Sequence, residues 1–135
     1  MNQYDVVVIG SGPGGYVAAI RCAQLGLKTA CIEKSPTLGG TCLNVGCIPS
    51  KALLYSSELY WKLQKEAQEH GIVANSMSCD LTKMMHRKEK VILGFTKGIE
   101  GLFKKNKIEW IQGHASLKGP NAIDVNGQTV EARFI

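Results

Sequence analysis

Residues Tyr4 to Ile9 (YDVVVI) make a short, β-branched apolar run that breaks off in Gly10-Ser11-Gly12-Pro13-Gly14-Gly15, the pattern of a buried parallel strand entering a glycine turn. From Tyr16 to Leu25, Val17, Ala18, Ile20, Cys22, Ala23 and Leu25 recur at helical spacing, and Gly26 supplies the stop. Lys28 to Glu33 (KTACIE) is a second strand, so the opening of the chain predicts a βαβ unit. Ser35 to Gly40 (SPTLGG) is a loop, Pro49 marks a helix start, and a helix over Ser50 to His70 keeps Leu53, Tyr60, Leu63 and Ala67 on one face, with His70-Gly71 closing it. Asp80 is placed to cap another helix, along which Leu81, Met84, Met85, Val91, Ile92, Phe95, Ile99, Leu102 and Phe103 form an apolar stripe. The methionines on that stripe read as core filling rather than as metal ligands. A third strand follows at Lys107 to Gln112 (KIEWIQ), then shorter strands at His114 to Leu117, Ala122 to Val125 and Thr129 to Ile135, with Asn126-Gly127 as a tight hairpin turn. The sum is an α/β fold: a parallel sheet with a helical hairpin inserted between strands and a β-meander at the end.

Gly10, Gly12 and Gly15 fit G-x-G-x-x-G in the place where a Rossmann-like dinucleotide site needs it, after a strand and opening a helix. In order, the three glycines permit the tight turn, backbone approach to a pyrophosphate, and close packing of helix on strand. The helix N-terminus then offers unpaired N–H groups and a positive dipole end to phosphate. Glu33 ends the second strand eighteen positions after Gly15, where a carboxylate accepts hydrogen bonds from ribose hydroxyls and disfavours a 2′-phosphate. A plain glycine loop would need neither the flanking elements nor the acid. The motif leaves FAD and NAD equally open.

At 135 residues, 44% hydrophobic and 20% charged, the chain has the composition of one globular domain. No apolar run reaches the length of a membrane span, and Met1 to Tyr4 lack the features of a secretion signal, so an intracellular, cytoplasmic protein is expected, with the mitochondrial matrix as the alternative. The net charge of +5 comes mainly from residues between Lys83 and Lys107, without aromatic interleaving, and reads as a solvated helix face rather than a nucleic-acid site.

Composition changes the picture most through cysteine. Five cysteines (Cys22, Cys31, Cys42, Cys47, Cys79) lack the even count of a secreted disulfide scaffold, so a structural disulfide is not expected, while a catalytic one is allowed. Cys42 and Cys47 stand in TCLNVGCIPSK. A zinc site needs about four ligands, commonly in close pairs, and His70, His86 and His114 are scattered. Two inert buried thiols are the bland alternative. The four-residue spacer with Gly46 lets the chain turn back to bring the sulfurs together, and a helix start near Cys47 and Pro49, with Lys51 nearby, favours a thiolate. Such a pair can make and break a disulfide beside a flavin, which passes two electrons to nicotinamide as hydride.

VVVIGSGPGGYVAAIRCAQLG, the acid in CIEK and GGTCLNVGCIPSK together resemble the flavin-dependent pyridine-nucleotide:disulfide oxidoreductases. The resemblance implies a Rossmann-like, three-layer FAD-binding domain with tightly bound FAD. Gly10, Gly12 and Gly15 would form its pyrophosphate turn and Glu33 would meet the adenosine ribose. Lys34, Gly40, Thr41 and Lys51 would lie near the cofactor, with Gly113-His114-Ala115 against the adenine. It implies a catalytic pair in which Cys42 is the interchange thiol and Cys47 the thiol against the flavin. Leu43 and Ile48-Pro49-Ser50-Lys51 look most like the members that oxidise protein-bound dihydrolipoamide, which implies NAD⁺ as acceptor, a homodimer, and lipoyl domains of 2-oxoacid dehydrogenase complexes as partners. Another disulfide or mercuric reductase, or a non-catalytic dinucleotide-binding module, is the alternative. The family's chain is longer: its NAD-binding and dimerisation domains, and the His-Glu pair that serves as acid/base, have no counterpart in residues 1–135. The chain therefore reads as a partial FAD-binding domain, expected not to turn over alone.

Overall fold

The first apolar run becomes β1 (Tyr4–Ile9), and the glycine turn leads into α1 (Pro13–Gln24) and β2 (Thr29–Glu33). This computed structural model describes residues 3–135; Met1 and Asn2, part of the segment read for a secretion signal, lie outside the described residues. β1 and β2 pair in parallel, with Val6 opposite Thr29 and Ile9 opposite Ile32. All of β2 is buried, as a parallel strand covered on both faces should be. α1 starts at Pro13, earlier than the apolar spacing suggests, because proline at the first helical position gives up no hydrogen bond.

Between β2 and the third strand the chain forms α2 (Gly40–Asn44), α3 (Cys47–Lys65), a 3₁₀ turn at Ala67–His70 and α4 (Leu81–Lys105). α2 is not in the sequence reading, because a single turn is too short to show a period. Asn44 holds it: its amide donates to the carbonyls of Leu38 and Gly40 at 3.2 and 2.9 Å, and its Oδ1 accepts from Thr37 Oγ1 at 2.9 Å. α3 begins at Cys47 rather than Ser50, with Pro49 inside the first turn, and its α-helical part ends at Lys65 rather than His70. Gly71, at φ 73°, closes the 3₁₀ turn. Asp80 caps α4 as expected, its Oδ1 accepting from the Lys83 N–H at 3.0 Å.

α3 and α4 pack along one another, and Arg87 of α4 donates to the carbonyl of Ala52 at 3.1 Å. The stripe read along α4 is core only where the helix meets the sheet. Ile99 and Phe103 are buried with Thr96, whereas Leu81, Phe95 and Leu102 face outward, as do Leu54, Tyr55, Leu59 and Trp61 of α3.

β3 (Glu109–Gln112) runs parallel to β2, and β4 (Ala115–Gly119), β5 (Ala122–Val125) and β6 (Gln128–Phe134) form an antiparallel meander. The third strand starts two residues later than predicted, since Lys107 takes a positive φ on leaving α4. Asn126 and Gly127, at φ 54° and 85°, make the two-residue hairpin turn. β6 ends alongside β1 in parallel, which gives the strand order β3-β2-β1-β6-β5-β4. Alternation along the strands splits the core into two clusters. Val7, Ala30 and Ile32 pack with Ile123, Val125, Val130 and Ala132 of the meander, while Cys31 on the other face packs with Ala19, Leu43, Ile99 and Phe103. Helices, parallel sheet and meander are thus three layers.

The contact of α1 with β1 leaves no room at one point. A Cβ on Gly15 would stand 1.8 Å from the Gly10 carbonyl oxygen, whereas one on Gly14 would meet nothing within 4 Å. Gly15→Ala is expected to cost about 3 kcal/mol or more in urea titration. Gly14→Ala should be neutral or stabilise by up to about 1 kcal/mol. Equal effects of the two would show that this close approach does not fix the helix.

Candidate functional site

At the C-terminal ends of β1 and β2, where ligands of open parallel sheets bind, lies a cleft of about 680 Å³. Its wall includes Gly10 and Gly12 from the glycine turn, Glu33 and Lys34 from the end of β2, Gly40 and Thr41 from α2, and Ala115. All seven are residues singled out in the sequence. The expected adenine segment is brought alongside because the Gly113 N–H donates to the Glu33 carbonyl at 2.9 Å. Two assigned residues are not on the wall: Gly15 acts instead as the contact of α1 with the turn, and Lys51 is exposed on α3. Asn44, Val45, Thr37 and His114 also line the cleft. His114, with Gly113, belongs to the segment expected against the adenine; for Asn44 and Val45 the signal is their position between the two cysteines, and Thr37 carries none.

α1 opens on Gly12 with no side-chain cap and no acidic residue in its first turn. Its N-terminal N–H groups and dipole are therefore uncompensated, which suits an anion.

Glu33 is 6% exposed, yet its carboxyl is held below the ordinary value of 4.5. Burial alone would raise it; hydrogen bonds from Ser35 and Ser11 outweigh the burial. Oε2 accepts from both the N–H and the hydroxyl of Ser11, at 2.9 and 2.7 Å. Oε1 accepts from the Ser35 N–H at 2.9 Å. The nearby Ser35 hydroxyl is a rotor that can yield its place to a ligand hydroxyl.

Cys42 sits in α2 and Cys47 is the first residue of α3. What folds one against the other is Gly46, whose Cβ position would meet the Thr41 carbonyl oxygen at 3.0 Å and Cys42 Cα at 3.4 Å. Both are free thiols. Interaction with the Cys47 side chain, with partial burial, pushes the Cys42 thiol up; the Cys47 N–H and the Lys51 ammonium pull it down by less. Cys47 is the more exposed of the pair, while Cys42 packs partly on the helical cluster. Cys31 is a different case: burial and the charge of Glu33 push its thiol up to about 12, and it serves as core.

A glycine turn, a buried acid at the end of β2 and a neighbouring dithiol define a dinucleotide-binding redox domain. A family profile described as pyridine nucleotide-disulphide oxidoreductase matches residues 4–135, and the chain belongs to that family. Over 125 residues, 93% of the chain, it is 57% identical to leghemoglobin reductase of Vigna unguiculata and 54% identical to mitochondrial dihydrolipoyl dehydrogenase of Pisum sativum. It is 52% identical over 138 aligned positions, 98% of the chain, to mitochondrial dihydrolipoyl dehydrogenase of Schizosaccharomyces pombe. The chain spans 24%, 25% and 27% of these relatives, about a quarter of their length. Proteins of this family typically bind FAD and NAD. Among the described residues, no helix is long and apolar enough to cross a membrane.

Because the folded value of Glu33 lies below its unfolded one, its ionised form adds stability above about pH 4.5, and this is lost as pH falls through the lower folded value. In urea titrations between about pH 7 and about pH 3, the native chain should lose stability more steeply on the acid side than Glu33→Gln. Parallel profiles would mean that the carboxylate is not held by its donors.

Proposed function

We propose that the complete protein is a dihydrolipoamide dehydrogenase, oxidising protein-bound dihydrolipoamide to lipoamide through a Cys42–Cys47 disulfide, with FAD in the cleft and NAD⁺ as acceptor. The observation that carries this reading is α2: Gly40, Thr41 and Asn44 line the cleft, while Cys42 on the same turn stands beside Cys47. The cofactor cleft and one thiol of the pair share one five-residue helix, and the other thiol opens α3.

The residues present suit FAD. The glycine turn lets backbone approach a pyrophosphate, the start of α1 opposes its charge, and the ionised Glu33 accepts ribose hydroxyls while repelling a 2′-phosphate. When bound, FAD supplies a two-electron acceptor that returns electrons to NAD⁺ as hydride.

The thiol chemistry belongs to the chain. One substrate thiolate attacks Cys42, breaking the Cys42–Cys47 bond and leaving Cys47 with its electron pair. The second substrate thiol attacks the sulfur held on Cys42, closing lipoamide and releasing Cys42. Two electrons and two protons pass from the substrate to the pair. Lys51 and the Cys47 N–H offset part of what holds the Cys42 thiol above its ordinary value.

Residues 1–135 serve as part of the FAD-binding domain in this reading. The NAD-binding and dimerisation domains and the acid/base pair come from elsewhere in the homodimer, and lipoyl domains of 2-oxoacid dehydrogenase complexes deliver the substrate. The compartment is the cytoplasm or the mitochondrial matrix, and the mitochondrial names of the pea and fission-yeast relatives support the second. The name of the Vigna unguiculata relative supports a second reading, in which a haem protein receives the electrons.

Assays of the complete protein with dihydrolipoamide and NAD⁺, leghemoglobin and NADH, or oxidised glutathione and NADPH separate these readings; activity is expected in the first. Cys42→Ser and Cys47→Ser should each lower it by at least about 10³-fold. In the reduced complete protein the proposed roles require iodoacetamide to alkylate Cys42 first by peptide mapping, although Cys47 is the more exposed of the two in this chain, and Cys47 reacting first would reverse the two roles.

A further inference from the structure

The middle position of Gly10-Ser11-Gly12 is one of which the glycine motif asks nothing, yet Ser11 is fully buried and all of its polar groups are engaged. Its N–H and hydroxyl both donate to Glu33 Oε2, at 2.9 and 2.7 Å. The Gly39 N–H reaches back to its hydroxyl oxygen at 3.2 Å and to its carbonyl at 3.0 Å. Gly39 is the residue before α2, so one small side chain joins the glycine turn, the acid of β2 and the start of the helix that carries Cys42.

We propose that Ser11 is a positioning residue for the cofactor: it occupies Glu33 Oε2 so that Oε1 is the oxygen left to an adenosine ribose hydroxyl, and it ties that carboxylate to the start of α2. The proposal rests on the FAD reading above. A two-donor grip on one oxygen fixes the rotation of the carboxyl plane, which the Ser35 N–H on Oε1 cannot do alone. Ser11→Ala removes one donor to a charged acceptor but keeps both backbone bonds, those from its own N–H to Glu33 and from Gly39 to its carbonyl. The turn therefore keeps its backbone frame, and the ribose acceptor loses its fixed direction.

The test compares two ligands on the complete protein freed of cofactor, with binding followed by the quenching of flavin fluorescence: FAD, and an FAD analogue whose adenosine lacks both ribose hydroxyls. Ser11→Ala is expected to weaken FAD by about 10- to 100-fold and the analogue by less than about twofold, since the analogue offers Glu33 nothing to receive. Equal weakening of both ligands would reduce Ser11 to a structural role, and no weakening of either would remove it from the site. Should Ser11→Ala fail to fold, Ser11→Cys, which keeps the shape and only a weak donor, is read in the same way. If the unaltered protein binds neither ligand, the FAD reading itself falls, and this inference with it.

Discussion

A carboxylate taken out of water must be met by donors, and the arrangement around the cleft follows from meeting that demand at Glu33. Left unpaired, a buried charge would cost several kcal/mol. Ser11 in the glycine turn and Ser35 just past β2 supply the donors. Because those donors belong to segments on either side of the acid in sequence, satisfying it draws the turn and the 35–39 loop together. α2 then starts against the turn and carries Cys42 to its place. Electrostatics at one residue thus positions a cleft wall and half of a dithiol.

The second constraint is steric. Gly15 lets α1 lie on the turn, and Gly46 lets the chain double back between α2 and α3; in each case backbone occupies the space where a side chain would be. The first approach aims the helix dipole at the cleft, and the second brings two sulfurs together that an extended chain would separate. The sheet supplies the rigid frame for both, with one face closed by the meander and the other by α1 and the C-terminal part of α4.

The βαβ unit, the meander and the hairpin turn were legible because strand alternation, glycine placement and Asn126-Gly127 are local signals that the tertiary structure leaves standing. α2 was not, since its five residues show no period and its stability comes from Asn44 bonding to the loop before it. The apolar stripe on α4 is longer than the core it serves: apolar spacing shows which residues share a helix face, not how far along the helix a neighbour covers it. At the site, the glycine motif and Glu33 pointed to the cleft, while Ser11 escaped notice because its role depends on Gly39 and Glu33, both distant in sequence. Lys51 was placed by motif, and its exposed position on α3 leaves it acting on Cys42 through charge.

The insertion of α2 to α4 between neighbouring strands also bears on how the chain folds. β2 and β3 pair directly although residues 34–108 lie between them, whereas β1 and β2 are joined through residues 10–28. Going from about 19 to about 75 connecting residues is two doublings, so closing the larger loop costs roughly 1.2 kcal/mol more in chain entropy. Pairing α3 with α4 first removes much of that loop before closure, because the hairpin folds within its own length. The order that follows is a local βαβ nucleus and a separate helical hairpin, with β3 arriving afterwards at an edge already prepared by β2.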